Sequence, residues 1–200
     1  MSDLEVAGPS LTLRYATIKD APELFALARD PAVTRFFSWG PYRREAETRA
    51  WLQGLPAKRE AGELMELVVD RRGHGPLGAI ALSELARRDR RATVGTWLGR
   101  AHWGSGANAE AKALMAALAF GPLGLERLTA YASTANDRSR GALERLGFRA
   151  EGVLRAFHRH PDGVHDVTIF GLLRTDWQRG PLAAVPARVG GRPPAAFVCG

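Results

Sequence analysis

The stretch from Trp103 to Ala109 has the sequence WGSGANA, and its backbone is the part of the chain best suited to bind an anion. Glycine adopts backbone conformations that are closed to other residues, and the first N–H groups of a helix have no acceptor within that helix. Two glycines directly before an alanine-rich helical segment can therefore aim free N–H groups at a phosphate. No Gly-Lys-Ser/Thr follows, as a P-loop requires, and the third glycine of a dinucleotide-binding loop is missing. The residues alone predict either an anion-binding loop or a simple tight turn.

A second set of side chains could carry protons during a reaction. Glu84 falls in a predicted strand, Asp166 falls in a predicted hairpin, and His158, His160 and His165 flank the hairpin turn HPDG. A positioned carboxylate or imidazole can accept a proton from an attacking group. Each of these residues also has a structural interpretation. A buried carboxylate is usually satisfied by nearby donors, and a histidine beside a turn is usually solvated.

The strands and helices that must position these residues are predicted from hydrophobic periodicity and from the glycines and prolines that interrupt it. Strands are predicted over 11–17, 63–70, 78–85, 91–99, 125–133, 148–157 and 165–173. Helices are predicted over 19–30, over 43–55, directly after the glycine loop, and over 136–147. The second should end near Gly54 and Pro56. In the last, Asn136 is the N-cap and Gly147 ends the helix. This order predicts an α/β domain with a mixed, mostly antiparallel sheet. Gly95 lies inside a strand, which is typical of a bulge or a close backbone approach.

The length of 200 residues suits one domain, which we place at residues 1–179. Residues 180–200 are rich in proline, glycine and alanine, and we expect them to form an extended or disordered appendage outside the core. The single cysteine, Cys199, allows neither an internal disulfide nor a metal-binding spacing, so no metal is expected.

Composition also bears on location and partners. The start of the chain has no basic segment followed by an apolar one, and no run of eighteen apolar residues occurs, so a cytoplasmic protein without a membrane span is expected. The net charge of +7 comes almost wholly from arginines that are interleaved with acids. The densest basic cluster, 86–91, contains no aromatic residue and is predicted to be a hairpin turn. Nucleic acid is therefore not an expected partner.

Four segments together resemble the GNAT family of acyl-CoA-dependent N-acetyltransferases: WLGRAHWGSGANAEAK, NDRSRGALERLGF, EGVLR and HDVTIFGLLRTDW. The resemblance covers about residues 11–177 and is strongest to the RimJ/RimL-type branch, which acetylates protein N-termini, including those of ribosomal proteins. In the family pattern Q/R-x-x-G-x-G/A, Trp103 fills the first position, Gly106 the second and Asn108 the last, where a small residue is usual. The resemblance implies the GNAT fold, in which the central sheet is flanked by helices and splays apart between the strand of Gly95 and the strand 125–133.

The resemblance also implies an acetyl-CoA site. The pyrophosphate would lie on the N–H groups of residues 104–109, and the pantetheine arm would pair with the backbone at Trp97 and Leu98. Asn136 and Ser139 match the family's N-x-x-S and would face the cofactor near its sulfur. The acetyl-CoA-binding residues expected from this resemblance are Trp97, Leu98, Trp103, Gly104, Ser105, Gly106, Ala107, Asn108, Ala109, Asn136 and Ser139.

An amine attacks a thioester only when it is neutral, and an α-amine with a pKa near 8 is neutral far more often than a lysine with a pKa near 10.4. A backbone N–H freed by a bulge at Gly95 could stabilise the oxyanion, and Ser139 could protonate the leaving thiolate. Many relatives carry a glutamate two residues before that glycine, but here the position is Thr93. Glu84 and Asp166 are the remaining acidic candidates, so the predicted catalytic residues are Ser139, Asp166 and Glu84.

The expected function is transfer of acetyl from acetyl-CoA to a primary amine, foremost a protein or peptide N-terminus, by direct attack in a ternary complex. Two alternatives stay open at this point: a small-amine acetyltransferase acting on an aminoglycoside or polyamine, and a non-catalytic module that binds acyl-CoA. Members of the family often form homodimers, so a homodimer is open as well.

Overall fold

A nine-stranded sheet forms the centre of the computed structural model, which describes residues 3–160 and 162–199. The strands are β1 (Glu5–Ala7), β2 (Leu11–Tyr15), β3 (Leu64–Arg71), β4 (Gly75–Ala86), β5 (Arg91–Leu98), β6 (Arg127–Ser133), β7 (Arg149–His160), β8 (Gly163–Leu173) and β9 (Arg188–Gly190). Their order across the sheet is β7-β8-β6-β5-β4-β3-β2-β1-β9. Among the described pairings β5 with β6 is parallel and the others are antiparallel, which confirms the predicted mixed sheet.

Helices cover both faces of the sheet. They are α1 (Ala21–Ala28), α2 (Pro31–Thr34), α3 (Glu45–Glu60), α4 (Ala107–Phe120), α5 (Asp137–Arg145) and α6 (Arg174–Arg179). The apolar side of α4 packs on one face with the larger core cluster. Helices α1 and α3 pack on the other face with a smaller cluster that includes Val68, Ala79 and Trp97. No helix in the described part of the chain is both long and apolar enough to cross a membrane.

The sheet splays open between its two central strands. β5 pairs with β6 only over Arg91–Thr93, whereas β5 pairs with β4 as far as Leu98. Beyond Thr93 the two strands therefore separate, and the backbone of residues 94–98 pairs with no described strand on its β6 side. The expected splay next to Gly95 is confirmed, but the expected bulge at Gly95 is wrong, because Gly95 pairs with Ala81 in regular register.

The interpretation of residues 180–200 as an appendage outside the core is wrong. Strand β9 pairs with β1, and Leu182, Phe197 and Cys199 are buried in the main core. The N–H of Cys199 also donates to the carbonyl of Leu123 at 2.8 Å. Proline and glycine exclude long regular elements here, but the apolar residues between them still gain free energy by burial, and β9 covers the otherwise unpaired edge of β1.

The expected end of the second long helix near Gly54 and Pro56 is also wrong, since α3 continues to Glu60. Leu52 and Leu55 are buried against the sheet. Their packing stabilises the helix through a proline, because tertiary contacts outweigh local propensity in most protein helices.

Candidate functional site

The glycine loop lies where β5 leads into α4. Gly104 has φ +73° and Gly106, the N-cap of α4, has φ +84°, both in the left-handed region that favours glycine. No other part of the described chain comes within 4 Å of the position that a Cβ would take at either glycine. No side chain caps the helix at Gly106. The loop therefore turns its backbone and the positive end of a fourteen-residue helix toward open space.

Side chains of the loop hold its shape from within. The indole N–H of Trp103 donates to the carbonyl of Leu98 at 2.9 Å, and the guanidinium of Arg138 stacks 3.4 Å from the centre of the Trp103 ring. The Ser105 hydroxyl donates to the carbonyl of His102 at 2.8 Å. The N–H groups of Ala107 and Ala109 also donate within this segment, to Ser105 Oγ and to the carbonyl of Gly106. The backbone N–H groups of Gly104, Ser105, Gly106 and Asn108 have no acceptor among the described residues and can meet a ligand.

Two charged side chains fix α4 relative to the sheet. Glu110, in the first turn, accepts hydrogen bonds from the backbone N–H groups of Ser10 at 2.7 Å and Leu11 at 2.8 Å. Lys112 is buried, and its Nζ donates to Thr96 Oγ1 at 2.7 Å. Burial lowers the pKa of Lys112 from 10.5 to about 8. The ammonium has one protein acceptor among the described residues for its three donors.

The low pKa of Lys112 predicts a stability gain for Lys112→Met. The folded chain disfavours the ammonium, and with a pKa moved from 10.5 to about 8 the penalty at pH 7 is about 3 kcal/mol. The penalty is full below pH 8 and disappears as pH rises toward 10.5. Urea unfolding should show the variant more stable than wild type at pH 7, with the difference shrinking by pH 10. Exposed Lys58→Met is the control, and an equal gain there would contradict the explanation.

Asn136 and Ser139 lie at the start of α5. The Asn136 Oδ1 accepts the backbone N–H of Ser139 at 3.1 Å, which confirms the predicted N-cap. Ser139 is half-buried, and none of the hydrogen bonds found in the described part of the chain involves its hydroxyl. That hydroxyl is available to a ligand, and its role toward a cofactor sulfur stays a prediction.

Glu84 lies next to Thr93, at the start of the splay between β5 and β6. It lies in a bulge of β4 with φ +51°, and its Oε2 accepts hydrogen bonds from Thr93 Oγ1 at 2.7 Å and from the Tyr131 hydroxyl at 3.3 Å. Thr93 and Tyr131 belong to the two strands that splay apart. Glu84 therefore places a carboxylate beside Thr93, and its catalytic role stays a prediction.

Asp166 has a clear structural task. Its Oδ1 accepts the N–H of Ala156 at 2.8 Å, and Ala156 has φ +50° in the bulge of β7. Its backbone carbonyl accepts the N–H of Thr134 at 3.0 Å. These contacts favour the structural interpretation of Asp166, and its catalytic role stays a prediction.

The three histidines of the β7–β8 hairpin are not equally solvated. His160 is only 5% exposed, which corrects the expectation of a solvated side chain, and its ring stacks on that of His165 at 4.5 Å. His165 Nε2 lies 2.8 Å from Asp162 Oδ1. Ligand atoms of His160, Asp162 and His165 lie within 4.8 Å of one another, so this group has the composition of a metal site. The expected absence of metal stays a prediction, and Pro161 of the predicted HPDG turn lies outside the described residues.

One carboxylate was missed by the sequence analysis. Glu66 lies on β3, half-buried on the face covered by α1 and α3, and the indole groups of Trp51 and Trp97 lie beside its carboxylate. Burial raises the pKa of its carboxyl group to about 7. The available signal was a glutamate inside the otherwise apolar run LMELVV.

Comparison with known proteins agrees with this architecture. The family described as "Acetyltransferase (GNAT) domain" matches residues 10–149. "Uncharacterized N-acetyltransferase p20" of Bacillus licheniformis is 28% identical over 168 residues, covering 84% of this chain and 94% of that protein. "Uncharacterized N-acetyltransferase YoaA" of Bacillus subtilis is 28% identical over 82% of this chain and 93% of that protein. RimJ of Mycobacterium smegmatis, solved in complex with CoA-disulfide, shares the fold with a TM-score of 0.80, 19% identity and 90% coverage of both chains.

Proposed function

The chain belongs to the GNAT family and is an acetyl-CoA-dependent acetyltransferase, and we propose that its acceptor is the α-amine of a protein or peptide N-terminus. The observation that supports acetyl-CoA as the acetyl donor is the glycine loop at the start of α4, placed beside the splay between β5 and β6. The loop supplies N–H donors for a pyrophosphate. The unpaired backbone of residues 94–98 supplies hydrogen-bonding groups for a pantetheine arm.

The acceptor class rests on acid–base chemistry and on likeness to the RimJ/RimL-type branch. About a tenth of an α-amine is neutral at pH 7, against fewer than one lysine in a thousand, so an α-amine needs less help from a base. RimJ of Mycobacterium smegmatis shares the fold of this chain. Both considerations favour an N-terminal amine.

The proposed reaction is a direct transfer. The amine nitrogen bonds to the carbonyl carbon of acetyl-CoA, the carbon–sulfur bond breaks, and the amine loses a proton as the thiolate gains one. Ser139 donates the hydrogen bond or proton to the thiolate, and Glu84, at the mouth of the splay, holds the acceptor. The backbone beside Gly95, where the side of the strand facing β6 is unpaired, supplies the oxyanion donor.

A thiol-release assay run beside calorimetric titration of acetyl-CoA tests the proposal. A peptide with a free α-amine should be acetylated, whereas the same peptide with a blocked N-terminus and an internal lysine should not. Ser139→Ala should lower kcat by about 100-fold, with a much smaller loss of acetyl-CoA affinity. Faster turnover of spermidine or kanamycin than of any peptide would reject the N-terminal acceptor. Acetyl-CoA binding without turnover on any acceptor would favour a non-catalytic module.

A further inference from the structure

Glu66, Ala81 and Gly95 form a row across β3, β4 and β5. Glu66 pairs directly with Ala81, and Ala81 pairs directly with Gly95. Directly paired residues point to the same face of a sheet, as do residues two apart along a strand. Val68, Ala79 and Trp97 stand two positions away on the same three strands and pack toward α1 and α3. The row therefore faces α1 and α3 as well.

Between Glu66 and Gly95 the surface of the sheet carries little side-chain volume. Ala81 has a small side chain, Gly95 has none, and no other described part of the chain comes within 4 Å of the position of a Gly95 Cβ. Gly95 is exposed although it lies in a central strand. With neighbouring strands about 4.8 Å apart, the Cα atoms of Glu66 and Gly95 are about 10 Å apart. A trough of this length can hold the amino end of an acceptor between the Glu66 carboxylate and a thioester lying in the splay beside Gly95.

Aromatic side chains surround the carboxylate end of the trough. The indole groups of Trp51 and Trp97 lie beside the Glu66 carboxylate and favour its ionised form. Trp39 lies edge-on to Trp97 with 5.5 Å between ring centres, and Trp39 also contacts Tyr42. A carboxylate can accept about four hydrogen bonds, so two indole groups leave room for an ammonium. The aromatic rings around the carboxylate can also attract a cation by cation–π interaction.

We propose that Glu66 binds the ammonium of the acceptor and takes its proton as the amine attacks the thioester. This inference rests on the proposed acetyl transfer and assigns the acceptor to the class of cationic primary amines. One proton moves from the ammonium to a Glu66 oxygen, and the neutral nitrogen then bonds to the thioester carbon. As the carbon–sulfur bond breaks, the second nitrogen proton is lost and the thiolate gains a proton through Ser139. Glu66 then returns the proton to solvent. Glu84, at the other side of Gly95, orients the acceptor without taking the proton.

The charges near Glu66 are consistent with this role. Burial raises the pKa of its carboxyl group to about 7, while Lys58 of α3 and the two indole groups act in the opposite direction. Burial raises the pKa of the Tyr42 hydroxyl, and the negative charge of Glu66 raises it further. A base near pKa 7 is matched to an α-amine near 8 and poorly matched to a lysine near 10.4.

Glu66→Gln separates this role from a merely structural one. The raised carboxyl pKa means that the folded chain favours the neutral acid over the carboxylate. The free energy of unfolding therefore falls as pH rises from 4.5 through about 7, where the folded chain must ionise Glu66. Glutamine imitates the neutral acid. The variant should therefore melt about 5 °C above wild type at pH 8 and near wild type at pH 5, yet lose at least 100-fold in kcat/KM on a peptide beginning with alanine.

The pH profile and three companion variants complete the experiment. Wild type should show an acidic limb of kcat/KM with an apparent pKa near 7, which Glu66→Gln removes and Glu84→Gln retains. Trp51→Phe removes an indole group that lowers the Glu66 pKa, so the limb should move to higher pH. Glu63→Gln, an exposed carboxylate just before β3, should behave as wild type.

Each contrary result has one meaning. The inference is overturned if the acidic limb survives in Glu66→Gln, if the limb is lost in Glu84→Gln instead, or if Glu66→Gln melts below wild type at pH 8. It is also overturned if wild type binds acetyl-CoA but neither binds nor acetylates the alanine peptide or spermidine. Failure of wild type to bind acetyl-CoA would reject the proposed function itself.

Discussion

Gly106→Glu is expected to weaken acetyl-CoA binding by at least about 100-fold in calorimetric titration. The substitution places a carboxylate at the N-cap of α4, where the helix end and the free N–H groups would otherwise face the pyrophosphate. It also forces a side chain into φ +84°, which costs about 1–2 kcal/mol of stability. Charge repulsion and loss of space both weaken acetyl-CoA binding at this position.

Gly73→Glu is the matched control for the backbone strain. Gly73 lies in the turn between β3 and β4 with φ +75°, and no other described atoms come within 4 Å of its Cβ position. The control should lose similar stability but bind acetyl-CoA as wild type does. Equal affinities for the two variants would show that the loop at Gly106 is only a turn.

Phe197→Ala is expected to lower the free energy of unfolding by about 3–5 kcal/mol, measured by urea denaturation. Phe197 is 0% exposed and belongs to the main core cluster, although it lies in the segment that composition assigns to an appendage. Removing the ring leaves a cavity beneath the last part of the chain. A residue in a disordered tail could not cause a loss of this size, because its side chain buries no surface on folding.

Phe157→Ala serves as the comparison of the same residue type. Phe157 is 45% exposed and contacts Tyr131 in a tilted arrangement with 5.2 Å between ring centres. Its truncation should cost about 1 kcal/mol or less. If Phe197→Ala were as mild as this control, residues 180–199 would not be part of the folded core in solution.

Much of the candidate site is local in sequence, and the sequence predicted that part. The glycines at 104 and 106 are required by backbone angles set within the loop itself, and Asn136 caps a helix through an N–H three residues away. The alternation of apolar residues likewise placed the strands, because side-chain direction in a strand depends only on the backbone period. The resemblance to the GNAT family supplied the splay between the strands of Gly95 and Tyr131.

Only the tertiary structure decided which distant groups meet. Glu66 lies in one row with Gly95 because the register of β3, β4 and β5 aligns them. Glu84 reaches Thr93 because the bulge in β4 turns its side chain toward β5. Phe197 becomes core because it closes a gap left by elements that begin far earlier in the chain. Register and packing are sums of many contacts between residues remote in sequence, whereas turns and caps are satisfied by near neighbours. The conformation of the glycine loop could therefore be predicted from the residues alone, and the acid that we propose for the acceptor could not.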